Sequence, residues 1–337
     1  MKTPWDSEIA VVLNANAKRV TERIVTRVKK FVPESQLYIS KTIDEGQAFI
    51  QDILNKHYTH VVLGGGDGTV VEMINQLRNA LRAMGRPDSQ MPMLGFLKLG
   101  TGNAWSRFLG MDAGKRTLPR MARPENWRIS RFNLLETENR CSHFAGMGWD
   151  ANILADYYYL KEKFDGTPFA RFLHGFAGYI AAIALRTVPQ QLVTPAPQIR
   201  VINQSDEVYE MAHFRPPRRL DLKIGDTLYE GPANVFGAGT TPYYGYNMVA
   251  YPFARMKEGF MNFRVVSSSV WEVLAHARSI FQGRFDSPNF KDYLLKRVSI
   301  EVDRPLPIQL GGDLFGNRDK WDLAVSDLSV EVFDFHA

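Results

Sequence analysis

The stretch His60 to Glu72, HVVLGGGDGTVVE, constrains this chain more than any other. An apolar strand-like run ends in four glycines within five positions, and a helical stripe begins at once. Strand, glycine turn and helix make a βα unit, and a βα unit needs further parallel strands beside it. The flanking sequence supplies them. EIAVVLN (8–14) reads as a buried strand, AKRVTERIVTRVKKFV (17–32) as a helix with Val20, Ile24, Val28 and Phe31 on one face, and SQLYIS (35–40) as a second strand. The next helix carries Asp44 and Glu45 in its first turn, where the helix dipole favours anions. After the glycines, Val70, Ile74, Leu77 and Leu81 form an apolar stripe, with Glu72, Asn75 and Asn79 on a polar side. MPMLGFLKL (91–99) is the fourth strand. This alternation predicts an α/β, doubly wound, mostly parallel domain.

The rest of the chain changes character. FAGMGWDA (144–151) ends a strand at a turn, and 153–188 read as helical with a break at Gly166-Thr167-Pro168. From 198 onward short strands alternate with Pro- and Gly-rich turns: PQIRVIN, RRLDLKIG, GFMNFRVV, RVSIEVD and LSVEVFDF. The expectation is a nucleotide-binding α/β domain over 1–138 and a β-rich, sandwich-like domain over 139–337, the extreme C-terminus packing back on the first.

Composition narrows the function classes. Cys141 is the one cysteine, which excludes an internal disulfide and suits a reducing compartment. The N-terminus, MKTPWDSEIAVVLN, lacks an uninterrupted apolar segment of the kind a signal peptide needs. The longest apolar tract, Phe172 to Val188, contains His174 and Arg186 and is short for a bilayer span. A cytoplasmic location is therefore expected. The net charge of +5 favours anionic partners. No basic-aromatic stripe or zinc-ligand pair points to nucleic acid.

A strand–glycine–helix turn offers free N–H groups and a helix N-terminus to a phosphate. Familiar versions are excluded: Gly114-Lys115 is followed by Arg116, so no G-x-x-x-x-G-K-[ST] exists, and residues 64–68 do not fit G-x-G-x-x-G. Gly146-Met147-Gly148-Trp149-Asp150-Ala151 matches G-x-G-x-x-A but lacks a preceding βαβ context. A turn required only for packing is the plain alternative, yet packing does not account for Asp67 among the glycines. An acid there suits a metal, a metal-bound water or a proton.

Read together, GGDGT (65–69), the helix bearing Glu72 and Asn75, and LGTGN (99–103) with Arg107 resemble the catalytic domain shared by diacylglycerol, sphingosine and ceramide kinases. Asn14-Ala15-Asn16-Ala17, Thr42, GMGWDA (146–151) and YYGYNMVAYPFARMKEGFMNFRVV (243–266) extend the resemblance over nearly the whole chain. It implies ATP with Mg²⁺, phosphates lying on Gly64, Gly65, Gly66, Gly68, Gly100, Thr101, Gly102 and Asn103, hydroxyls from Thr42, Thr69 and Thr101, and the Asn14 amide near the ribose or base. It implies Asp67 as metal-water ligand or base, Glu72 orienting it, and Asp150 as a second acid in the cleft. The β-rich domain would hold the lipid, with Phe169, Phe172, Leu173, Phe176, Tyr179 and Ile180 either packing or lining acyl-chain access. Arg215-Pro216-Pro217-Arg218-Arg219 would be a solvated loop or a headgroup contact.

Three departures stand out. Lys98 replaces a proline before GTGN, and Ala104 replaces an acid after it, so GTGNAW leans toward the sphingosine-kinase form. Where relatives carry Asp-Asp-Gly at a structural metal, this chain has Lys257-Glu258-Gly259, leaving Glu258 as the one carboxylate. Where the family has Asp-Gly-Glu near its C-terminus, this chain reads Gln309-Leu310-Gly311-Gly312-Asp313. The base position becomes Gly311, so Asp313, Asp67 or both take over, with Asp313 also a metal candidate. The expected activity is an ATP-dependent kinase of a membrane lipid (diacylglycerol, ceramide or sphingoid base), acting peripherally at the inner membrane face as monomer or homodimer. A lipid-binding pseudokinase and a small-molecule kinase of the NAD-kinase type are the alternatives.

Overall fold

The computed structural model describes residues 8–17, 19–100, 103–123, 127–167, 173, 176–245 and 247–335. Thr101, Gly102, Phe169 and Phe172, singled out above, lie outside the described residues, as does the side chain of Phe176. The chain divides into two compact units, Met1–Asn133 with Asp327–Ala337, and Leu134–Ser326.

The first unit runs β1 (Ile9–Asn14), α1 (Glu22–Val28), β2 (Leu37–Ser40), α2 (Ile43–Asn55), β3 (His60–Gly65), α3 (Asp67–Ala83), β4 (Met93–Lys98), α4 (Ala104–Phe108) and α5 (Thr117–Met121). Its strands pair in parallel in the order β4-β3-β1-β2. Val332, near the end of the chain's last strand, lies parallel to Leu94 on the open side of β4. Ile9, Ala10, Val11 and Leu13 are all buried, as expected where helices cover both faces of a parallel sheet. Two expectations need correction. The first helix is shorter than the stripe suggested, beginning at Glu22. Helix α3 has no simple polar side: Asn75, Gln76 and Arg78 are buried with the apolar stripe. Burial is tolerable because Asn75 Nδ2 donates to the Val71 carbonyl (2.8 Å) and Arg78 pairs with Asp88 (3.2 Å).

The second unit takes up the chain within β5 (Ile129–Thr137) and continues through β6 (Arg140–Ser142), β7 (Phe144–Gly148), α6 (Trp149–Lys163), α7 (Phe176–Ala182), a π-helical turn at Ile183–Thr187 and α8 (Val188–Val193). There follow β8 (Gln198–Asn203), β9 (Val208–Met211), β10 (Arg218–Leu220), β11 (Thr227–Pro232), β12 (Val235–Gly239), β13 (Met261–Val266), α9 (Val270–Ala275), α10 (Ala277–Phe281), β14 (Phe290–Leu295), β15 (Arg297–Leu310) and β16 (Asp313–Phe333). Pairing here is antiparallel throughout the ladder β10-β9-β14-β13-β12-β7-β15-β16. The long strand β15 is used twice: Val298–Val302 lie against β8, and Ile308–Leu310 lie against β7. A register irregularity between Glu301 and Leu306 separates the two parts, the usual device for turning a strand from one set of partners to another. Phe236, Phe263, Ile308, Val298 and Leu323 are core residues of this unit.

Candidate active site

In the first unit the glycines do something the sequence did not disclose. Gly64 and Gly65 are inside β3, registered against Leu13 and Lys98, and only Gly66 to Thr69 turn into α3. A Cβ on Gly64 would stand 2.4 Å from Leu13 Cδ2, and one on Gly65 would stand 2.6 Å from the Thr69 side chain. A Cβ on Gly100 would stand 2.1 Å from the Gly66 Cα. Contacts that close do not occur, so the two glycine turns touch backbone to backbone. These glycines serve loop-on-loop packing before any ligand arrives.

Asp67 locks that contact. Its carboxylate accepts the backbone N–H of Ala104 (3.0 Å) and of Trp105 (3.3 Å), capping α4 from a different turn. Burial pushes the Asp67 carboxyl above its usual range, while those N–H groups pull it down. Asn103, buried and left-handed (φ 52°), closes its own turn by accepting the Gly100 N–H (2.9 Å) and donating to the Gly100 carbonyl (2.5 Å). Asn14 ties β1 to α3 by donating to Thr69 Oγ1 (3.0 Å), and its Oδ1 accepts the Asn16 N–H (2.9 Å). Thr42 is the N-cap of α2, its hydroxyl accepting the Glu45 N–H (3.1 Å). Glu72 accepts from Gln76 one turn along α3 (3.0 Å).

Positive charge collects beside this turn. Burial, and then the guanidinium groups of Arg107 and Arg19, hold Lys98 below its usual range. Lys98, Arg107, Arg116, Arg120 and Thr117 line a cavity of about 360 Å³, with Asp112 the carboxylate paired to Arg116 (3.6 Å). Backbone turns, an amide, hydroxyls and clustered cations form a donor set suited to a polyphosphate.

The second unit contains its own acidic site. Gly146 has no side chain to spare, since a Cβ there would lie 1.8 Å from Asp150 Oδ2. Gly148 takes φ 92° against the Asn234 carbonyl, so the G-x-G pair serves strand packing and the seating of Asp150. Asp150 Oδ1 accepts the Ala151 N–H (2.7 Å), and Oδ2 accepts from Gln309 Nε2 (3.3 Å). Burial pushes the carboxyl up to about 7. Gln309 is itself fully buried and its Oε1 accepts the Gly312 N–H (3.0 Å). Gly311 (φ 63°) and Gly312 (φ 94°) are the two-residue turn joining β15 to β16, with Leu310 and Asp313 paired across it. Positive φ at both central residues is what a type I′ hairpin demands. Asp313 is exposed at the hairpin and receives a long contact from Tyr158 Oη (3.5 Å) on α6. Gln309 and Tyr158 were not singled out from sequence; their partners are 159 and 155 residues away, and no local signal marks them.

The metal assignments do not come together. Among the described residues, no three His, Cys, Asp or Glu side chains gather as a metal would require. Asp67 already accepts N–H groups on both oxygens. Glu258 is exposed in the turn that leads into β13, where the neighbouring Lys257 ammonium pairs with Glu207 and lies over the rings of Tyr209 (4.3 Å) and Phe260 (4.2 Å). The cation found at that turn is the Lys257 ammonium, paired to Glu207.

Residues 8–126 match the sequence model of the diacylglycerol kinase catalytic domain. No curated protein matches the sequence. Among solved structures, the chain is similar to a diacylglycerol kinase from Bacillus anthracis str. Sterne, at 18% identity and TM-score 0.65, covering 98% of this chain and 97% of that one. A second chain from the same organism, provisionally assigned as a diacylglycerol kinase, aligns at 16% identity and TM-score 0.64 over 98% of each chain. The resemblance to the diacylglycerol kinase catalytic-domain family is thus borne out over residues 8–126, and the α/β plus β-rich fold of the chain is that of these kinase structures.

Proposed function

We propose that this protein is a lipid kinase that moves the γ-phosphoryl group of ATP to a hydroxyl of a membrane lipid. The observation that carries the reading is the Asp67 lock between the two glycine turns, which lies within the matched residues 8–126. It holds two sets of backbone N–H groups in a fixed relation, and preorganised donors are what phosphoryl transfer needs from a protein. In this reading the first unit binds ATP: Gly66, Gly68, Gly100 and Asn103 face the phosphates with Lys98, Arg19 and Arg107 supplying positive charge, and Asn14 and Thr69 orient the nucleotide. Mg²⁺ neutralises phosphate charge when bound.

Transfer itself requires that the lipid O–H proton pass to a carboxylate as the hydroxyl oxygen bonds to the γ-phosphorus, while the bond from that phosphorus to the bridging oxygen breaks to release ADP. Asp150 of the second unit is the candidate for that carboxylate on its own chemistry. A carboxyl near 7 is matched to that task at neutral pH. Gln309 holds Asp150 in place, and Asp313 stands at the hairpin as an assisting acid. Gly311, the counterpart of the family's base, is a turn residue here and accepts no proton.

The test is incubation with γ-labelled ATP, Mg²⁺ and mixed micelles of diacylglycerol, ceramide or sphingoid base, with NAD as a soluble control. Label in a lipid supports the reading and names the acceptor. Label in NAD alone favours the soluble-substrate enzyme, and no label anywhere favours a pseudokinase.

A further inference from the structure

We propose that one end of the second unit's sheet is a docking face for an anionic lipid bilayer, built from α8, α9 and the loop between β9 and β10. The strand registers put α9 and that loop together. Gly148, Val235, Val266 and Phe290 lie in one row across β7, β12, β13 and β14, and Met211 ends β9 beside Asp292. Helix α9 leaves that row three residues after Val266, and the 212–217 loop leaves it directly after Met211. Helix α8 packs beside α9.

What these elements present to solvent is unusual. Phe214 is 96% exposed, Val193 83% and Trp271 67%, with Leu192 and Leu274 at least half exposed beside them. Large apolar side chains exposed at one end of a sheet mark an interaction surface, and a tryptophan among them suits a bilayer interface. Phe214 also sits at φ 61°, a left-handed conformation that a bulky residue adopts only when held there.

Charge selects the partner. No aspartate or glutamate occurs between Asp165 and Asp206, where the chain's 36 acidic residues in 337 would place several. Arg215 follows Phe214 in the loop and is exposed; in β10, Arg218 is paired to Glu210, and Arg219 is exposed with the Glu207 carboxylate within its electrostatic reach. Between Val270 and Phe290, Arg278 and Arg284 are exposed. Glu272, half-buried, accepts from Ser287 Oγ (2.8 Å) and Asn289 Nδ2 (2.7 Å), and Asp286 is the exposed carboxylate of this stretch. Apolar tips among exposed cations that outnumber the exposed acids complement an apolar layer beneath negative headgroups. The choice of a bilayer over a protein partner rests on the lipid-kinase reading; binding itself does not depend on it.

The full chain is floated, without nucleotide, with vesicles of phosphatidylcholine alone or mixed with phosphatidylglycerol. Partitioning should be strong on the anionic vesicles, weak on the neutral ones and reduced by salt. Arg215→Gln with Arg219→Gln should weaken it roughly fivefold per cation, and Phe214→Ser with Trp271→Ser roughly tenfold or more. These side chains are exposed, so thermal unfolding of the variants should match the parent. In the parent, brominated lipid should quench a fluorescence component that Trp271→Phe removes, which needs no disruptive variant. Equal binding to both vesicle types, unchanged binding by the variants, or a dimer that Trp271→Ser splits without any vesicle binding would overturn the proposal. Lipid phosphorylation in detergent micelles with no vesicle binding sinks only the docking face; vesicle binding without phosphorylation sinks only the kinase.

Discussion

Two pairs of glycines in this protein look alike in sequence and do different physical work. In the first unit Gly66 and Gly100 are demanded by proximity, because two backbones meet with no room for a methyl group. In the second, Gly311 and Gly312 are demanded by conformation: both take positive φ, and around Gly312 a Cβ would meet open space. The first pair builds a rigid turn, the proposed seat of a polyphosphate, whereas the second makes a tight hairpin that leaves Asp313 exposed and Gln309 buried beneath it. The acids differ in parallel. Asp67 spends both oxygens on holding backbone from another turn, while Asp150 accepts from its neighbour Ala151 and from the one side chain Gln309, and burial pushes its carboxyl up to about 7.

The largest expected effect is at the lock. Asp67→Asn should reduce lipid phosphorylation by a thousandfold or more, on the order of the loss of a preorganised catalytic element. Because an amide nitrogen would then face a backbone N–H, it should also destabilise the fold by about 1–3 kcal/mol. Urea unfolding checks the second part; a variant of parental stability would show that Asp67 is not the structural cap described here.

Asp150→Asn comes next, with an expected loss of about 10²–10⁴ in kcat/KM. Activity in the parent should rise with pH through about 7 as the carboxyl ionises. Gln309 donates to the ionised form, so Gln309→Leu should move that limb to higher pH; an unmoved limb would detach Gln309 from the reaction. The stability effect runs the other way. The folded-state value lies above that of an unfolded aspartate, so the folded form binds more protons and loses stability as pH rises from about 4 to 7. Asp150→Asn should therefore unfold at a higher temperature than the parent above neutrality and show little difference in acid.

The glycines themselves give a smaller contrast. Gly100→Ala must separate two backbones, costing about 1–3 kcal/mol, and should abolish ATP binding by calorimetry. Gly312→Ala meets only the left-handed strain of about 1–2 kcal/mol and should leave ATP binding intact. Equal loss of nucleotide affinity in both would erase the distinction. Smallest of all, chelation by EDTA should leave thermal unfolding unchanged, and Lys257→Met should lower it slightly, since an ammonium holds the turn at Glu258.

Much of the first unit could be read directly. Ile9 to Asn14, His60 to Gly65 and Met93 to Lys98 are strands because their apolar runs are uninterrupted, and a sheet covered on both faces leaves that local trace. In the second unit, GMGWDA marked the end of β7 and placed Asp150, but β5, β6, β9, β11, β12 and β14 were not anticipated. Short antiparallel strands take their identity from partners across the ladder, and RRLDLKIG yields only Arg218–Leu220 for that reason. Lys257 was noted as a departure, though its use as the local cation emerged only from Glu207 and Tyr209 being folded against it.

The amino-acid sequence by itself determined the βα units, the two glycine turns and the candidate acids, because periodicity and glycine spacing are local properties of a chain. Which acid caps a helix, which one sits near neutrality and which apolar side chains stay outside were decided only by the tertiary structure. Burial and partnership depend on residues far apart in sequence: Asp67 with Ala104, Asp150 with Gln309, and helix α9 with helix α8 beside it.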